Sequence, residues 1–173
     1  MWNETDIPLA YLITFRTYGT RLHGDDRGSV DRFQNTYGTP RIPHKPHRQQ
    51  YNKDIRKGEA VLLDAPRRIA TDEAIKEVCE HRGWKLWAIN VRINHGHVVT
   101  TIGPRKPHLA LNAFKAYATR KMREGGFWIE DYSPWSDKGS ERWLWTEQSI
   151  FYACDYVING QGSDLTEFDN WRK

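Results

Sequence analysis

Two strand-like runs meet between residues 84 and 102, with only Asn94 to turn between them. In the first, Trp87, Ile89, Val91 and Ile93 recur at every second position, the period of a strand with one buried face. The second, residues 95–102, is rich in β-branched side chains: Val98, Val99, Thr100, Thr101 and Ile102. A parallel pair would need a crossover of about a dozen residues or more. These strands are therefore antiparallel neighbours, and the chain must be built on an antiparallel sheet.

The flanking patterns supply the rest. Residues 9–18 alternate, with Tyr11, Ile13 and Phe15 on one side and Leu12, Thr14 and Arg16 on the other, and predict another strand. Residues 71–82 predict a helix capped by Thr71, with Asp72 and Glu73 in its first turn, Ile75, Val78 and Cys79 as its apolar stripe, and Gly83 as its stop. A second helix, over 108–124, follows Pro104 and Pro107; its stripe is Ala110, Ala113, Phe114, Tyr117 and Ala118, and Gly125-Gly126 ends it. Residues 127–145 are aromatic and turn-rich and predict short strands or a hairpin. A last helix, over 146–159, buries Ile150, Ala153, Cys154, Val157 and Ile158. The expected fold is a single mixed α/β (α+β) domain, an antiparallel sheet with helices packed on it. Residues 19–60 carry turn residues without a sustained period and predict a long basic loop insertion. The tail over about 162–173 is polar.

Composition narrows the function. With 173 residues, 38% hydrophobic and 13% aromatic, the chain can bury one real core. No apolar run approaches the ~18 residues of a membrane span, and residues 1–6 lack the basic-then-apolar order of a signal peptide. Cys79 and Cys154 both lie in helical patterns, which argues against a disulfide framework and for the cytoplasm. The net charge is only +4, but it is concentrated. Residues 103–123 hold Arg105, Lys106, Lys115, Arg120, Lys121 and Arg123 and no acid. Residues 41–57 hold Arg41, Lys45, Arg48, Lys53, Arg56 and Lys57 against Asp54 alone. Interleaved with Tyr and Trp, such segments point to a polyanion partner. His44 and His47 in the loop read as solvent- or phosphate-facing. Of Trp128, Trp135, Trp143 and Trp145, one or two could stack on unpaired bases.

The chemistry-bearing residues are His95, His97 and Tyr156. On a strand, His95 and His97 project from the same face, side by side, spaced to hold one cation. Two histidines are too few for a closed structural site and suit an open one, where water or a phosphate completes the shell. Tyr156 sits well over 90° from the apolar stripe of the last helix, about 100° being turned per residue. A phenol is a weak nucleophile until a neighbouring cation stabilises the phenolate and polarises the electrophile. A phosphodiester brought in by the basic segments fits both needs.

Asn94-His95-Gly96-His97-Val98-Val99 resembles the signature of the HUH single-strand endonucleases. Tyr156-Val157-Ile158-Asn159-Gly160-Gln161 resembles the nucleophile helix of the single-tyrosine transposases, the insertion-sequence-200-like enzymes and their REP-associated relatives. The likeness spans most of residues 9–162. It implies a ferredoxin-like or RRM-like sheet, with Mg²⁺ or Mn²⁺ held by His95 and His97. It implies attack by Tyr156 on single-stranded or hairpin DNA, a 5′-phosphotyrosine intermediate with a free 3′-hydroxyl, and strand transfer by reversal. It also implies a homodimer, and a cytoplasmic protein associated with the nucleoid. The DNA contacts are assigned to Arg16, Arg105, Lys106, Lys115, Arg120 and Lys121.

Two positions depart from the family pattern. The residue between the histidines is Gly96 rather than a bulky apolar one. The position four after the tyrosine, where Gln or Asn would be a further metal ligand, is Gly160. Asn159 shares the helical face of Tyr156. Gln161 reaches it only through a distorted helix end, which Gly160 favours, and is taken as the third ligand with Asn159 as the alternative. The second functional reading is a non-catalytic single-stranded DNA or RNA binding protein on the same fold.

Overall fold

The computed structural model describes residues 6–20, 46, 47, 50 and 58–162. Most of the loop insertion at 19–60, with His44, and most of the polar tail lie outside them; His47 is exposed.

Among the described residues the chain runs β1 (Ala10–Thr17), α1 (Ala65–Arg82), β2 (Lys85–Val91), β3 (His95–Thr101), α2 (Pro107–Glu124), β4 (Trp135–Leu144) and α3 (Glu147–Asn159). The four strands form one sheet in the order β2-β3-β1-β4, every pairing antiparallel. A βαββαβ chain with β1 and β3 in the middle of its sheet is the ferredoxin-like arrangement.

Alternation in the strands sorts the side chains onto two faces. Tyr11, Ile13, Phe15, Val91 and Val98 face α1 and α2 and build the larger core with Ile75, Val78, Phe114 and Met122. Ala10, Leu12, Ala88 and Val99 face the other way, where Ile150, Ala153 and Val157 of α3 cover them. Arg16, Thr14, His95 and His97 continue this second face beyond the α3 contact.

Four local expectations need correction. Helix α1 starts earlier than 71: Asp64 is its N-cap, its side chain accepting from Arg67 N at 3.1 Å, with Pro66 in the first turn. Thr71 is an interior residue whose hydroxyl donates to Arg67 O at 2.8 Å. Strand β2 carries an irregularity between Leu86 and Ala88, so Trp87 drops out of the alternation and is exposed, as is Ile93 in the turn. The aromatic stretch 127–145 yields one ten-residue strand, β4, rather than a hairpin. Ile158 is exposed, so the α3 stripe is narrower than its composition suggests. Cys79 and Cys154 are both free thiols. No helix among the described residues is long and apolar enough to cross a membrane.

Candidate active site

The histidine pair is set by strand register. His97 stands opposite Thr14 on β1 and Asn90 on β2, and His95 stands opposite Arg16. Their rings lie 4.9 Å apart, centroid to centroid. Gly96 between them points to the opposite face, where the ring edge of Phe15 occupies the space a Cβ would need.

Helix α3 brings the tyrosine. Thr146 caps it, accepting from Ser149 N at 3.1 Å in a reciprocal capping box. The Asn90 amide donates to Val157 O at 2.8 Å and ties the last turn to the sheet beside His97. Tyr156, half exposed, then puts its ring 5.3 Å from that of His97.

The helix ends at Asn159 and the chain turns back at Gly160, where a Cβ would come within 2.7 Å of Tyr156 O. This turn carries Gln161 under the tyrosine. Its amide nitrogen donates to Tyr156 O at 3.0 Å, which leaves Oε1 facing His95 Nε2 at 3.4 Å. Asn159 instead donates to Asp155 Oδ1 at 2.8 Å on the exposed side of the helix.

Each imidazole also has a neighbour at Nδ1. Asn94 Oδ1 is 2.7 Å from Nδ1 of His95, and Thr14 Oγ1 is 2.7 Å from Nδ1 of His97. Burial holds the His97 ring down to about 4; the neighbouring His95 pushes the same way and the Gln161 amide partly opposes it. Burial also lowers His95, with Arg16 and Arg92 adding to the effect and Gln161 opposing it. Both rings are thus uncharged at neutral pH, the form a metal requires. Among the described residues no group of three or more His, Cys, Asp or Glu is placed to hold a metal ion. The available donor set is two imidazoles and one amide oxygen. That set fits a divalent cation at an open site, with phosphate oxygens and waters filling the rest.

The basic residues separate. Arg16 lies on the histidine face and its charge is felt by both rings. Arg105 and Lys106 are exposed in the connection from β3 to α2. Arg120 stacks over Tyr117 at 4.5 Å and sits 3.7 Å from Glu124. Lys121 pairs with Glu77 at 2.9 Å and lies 3.7 Å from Glu73. These two are on α2, across the sheet from the histidines. Lys115, assigned to DNA from the sequence, is buried, and its ammonium donates to the carbonyls of Ser136, Asp137 and Lys138 at 2.6–3.3 Å. Burial pushes it down to about 8, with Asp137 and Glu141 opposing. Trp128 and Trp135 are core residues, while Trp143 and Trp145 are exposed neighbours with centroids 5.8 Å apart.

Thr14 and Asn90 join this neighbourhood through hydrogen bonds that no sequence motif marks, to His97 and to Val157 O. Asn94, adjacent to the histidine motif, carried a local signal.

A ferredoxin-like sheet with a paired-histidine strand and a tyrosine helix against it defines a recognisable class. The family model described as "Transposase IS200 like" matches residues 55–152, more than half of the chain. The matched stretch includes both histidines and stops before Tyr156. The chain belongs to this IS200-like transposase family. No curated protein matches. A solved structure, "Structure of the REP associates tyrosine transposase bound to a REP hairpin", is similar at 13% identity and a TM-score of 0.48. That similarity covers 91% of this chain and 69% of the other.

Proposed function

We propose that this transposase-family protein is a metal-dependent single-stranded DNA endonuclease and strand transferase that works through a tyrosine–DNA bond. One observation carries the reading: within one chain, His95, His97, Tyr156 and Gln161 converge from β3, α3 and the residues just after it. The pattern is what attack on a phosphodiester needs, a nucleophile beside a cation site.

His95 and His97, with Gln161 Oε1, would hold Mg²⁺ or Mn²⁺. The ion supplies Lewis-acid polarisation of the scissile phosphate. Tyr156 Oη forms a bond to phosphorus as the P–O3′ bond breaks. The phenolic proton is delivered, through solvent, to the departing 3′-oxygen. The products are a 5′-phosphotyrosine and a free 3′-hydroxyl. Attack by another 3′-hydroxyl reverses the step and joins two strands, with the bond energy kept in the phosphotyrosine.

Arg16, on the histidine face, is the assigned residue best placed to meet the phosphate backbone at the cut. Arg105 and Lys106 could extend the track at the exposed start of α2. The site is assembled within one chain, which supports cleavage in cis; the homodimer is not needed to bring these groups together.

The test is incubation with single-stranded hairpin DNA labelled at either end, with Mn²⁺, resolved on a denaturing protein gel. The expected result is label on the protein from the 3′-labelled substrate only, abolished by chelator. Free DNA fragments with no protein-bound label from either end would overturn the reading.

A further inference from the structure

The two histidines differ from an ordinary strand pair in one respect: both Nδ1 atoms already have a partner on the protein. Asn94 Oδ1 sits 2.7 Å from Nδ1 of His95. That distance is ideal for N–H···O, and an amide oxygen can only accept. With the Asn94 oxygen as the acceptor, the proton of the neutral ring sits on Nδ1, and Nε2 carries the lone pair. Nε2 faces Gln161 Oε1 at 3.4 Å, and this oxygen is also an acceptor because the Gln161 NH₂ is committed to Tyr156 O. Two lone pairs thus face each other, an arrangement that a cation between them resolves.

His97 repeats the pattern from the neighbouring strand. Thr14, its cross-strand partner on β1, places Oγ1 2.7 Å from Nδ1. A hydroxyl can accept as well as donate. When it accepts, Nε2 of His97 presents its lone pair beside that of His95. A ligating histidine whose second nitrogen donates to a protein oxygen is fixed in tautomer and ring orientation.

The Asn94 side chain is free for this task because its backbone holds the turn separately. Its carbonyl accepts from Thr17 N at 3.0 Å and from Thr17 Oγ1 at 3.1 Å, and Arg92 N donates to His95 O at 2.7 Å. Removing the amide leaves those bonds in place.

We propose that Asn94 and Thr14 are the positioning residues of the cation site. Their side-chain oxygens hold the Nδ1 protons of His95 and His97, so that both Nε2 lone pairs point toward Gln161. The proposal rests on the reading of His95, His97 and Gln161 as metal donors.

Two measurements test it. The first needs no metal: long-range ¹H–¹⁵N correlation of the imidazoles in metal-free protein at neutral pH. It should show His95 in the Nδ1–H form, with mixed tautomers in Asn94→Ala and the wild-type form in Asn94→Asp. An Nε2–H form of His95 in the wild type overturns the proposal. The second is Mn²⁺ affinity by calorimetry, with hairpin DNA binding in chelator as a control for folding. Asn94→Ala and Thr14→Val should each weaken Mn²⁺ by about 10- to 100-fold, with Asn94→Asp and Thr14→Ser close to wild type. Wild-type Mn²⁺ affinity in both Asn94→Ala and Thr14→Val overturns the positioning role and leaves the metal reading standing. Mn²⁺ binding that survives the double change His95→Ala/His97→Ala overturns the metal reading, and this proposal with it.

Discussion

Gly96 and Phe15 divide one volume between them. They are cross-strand partners on the sheet face opposite the histidines, and the Phe15 ring fills the space where a side chain at position 96 would stand. The ring is fully buried and packs edge-on against Trp135 at 5.1 Å. The missing apolar residue of the family signature is thus supplied by the neighbouring strand. Nothing about Gly96 disturbs the face that carries His95 and His97.

An exchange of this kind should show coupling. Gly96→Val overpacks the core and should cost about 1–3 kcal/mol. Phe15→Ala should cost about 3–5 kcal/mol. The double variant should be more stable than Phe15→Ala alone, because the valine refills part of the cavity. Urea unfolding of the four proteins checks this; strictly additive losses would contradict the shared volume.

The bond from Asn90 to Val157 O links the histidine strand pair to the tyrosine helix. Asn90→Leu leaves a buried carbonyl without its donor, at about 1–3 kcal/mol. The last turn of α3 should loosen, so tyrosine-dependent cleavage should fall more than DNA binding does. Comparing the cleavage rate with hairpin affinity for this variant separates the two. Equal losses in both would mean that Asn90 supports the fold generally.

The His97 ring gives a pH dependence with a definite sign. Its folded value, about 4, lies below the ordinary 6.5. The folded state therefore binds fewer protons than the unfolded state between these values, and stability rises with pH across that window. On acidification from 6.5 towards 4 the wild type should lose up to ~3 kcal/mol through this group. His97→Gln should have a flatter profile over the same interval. Parallel profiles for the two proteins would show that the ring charges freely in the folded state.

The basic residues should sort by salt dependence. Each phosphate contact on a single strand contributes a slope of ~0.7 in log affinity against log salt. Arg16→Ala should reduce the slope by about that amount. Lys115→Met should leave the slope unchanged and lower thermal stability, since the ammonium braces the backbone at the start of β4. A reduced slope for Lys115→Met would return that lysine to the DNA track.

The features legible in the sequence are those written in local period. Alternation exposed β1 and β2, β-branched composition exposed β3, helical spacing exposed α2 and α3, and a phenol outside the α3 stripe exposed Tyr156. The start of α1 was legible in principle, since Asp64 and Pro66 are a cap and a first-turn residue. The acids after Thr71 imitated a later start. The irregularity at Trp87 was not legible, because an extra residue in one strand is defined only against its partner. Thr14 and Asn90 were invisible for the same reason. Each acts through one bond to a residue far along the chain, Thr14 to His97 and Asn90 to Val157. The burial of Lys115 was not legible either, because charge alone does not reveal that three carbonyls converge on an ammonium.

The central claim is that Tyr156 becomes joined to DNA beside the His95–His97 pair. The direct measurement is tandem mass spectrometry of the digested protein–DNA adduct formed with hairpin DNA and Mn²⁺, wild type beside Tyr156→Phe. The account predicts a nucleotide 5′-phosphate on Tyr156, none on Tyr152 of the same peptide, and no adduct in Tyr156→Phe, which still binds the hairpin. An adduct on Tyr152, or one that persists in Tyr156→Phe, would contradict it.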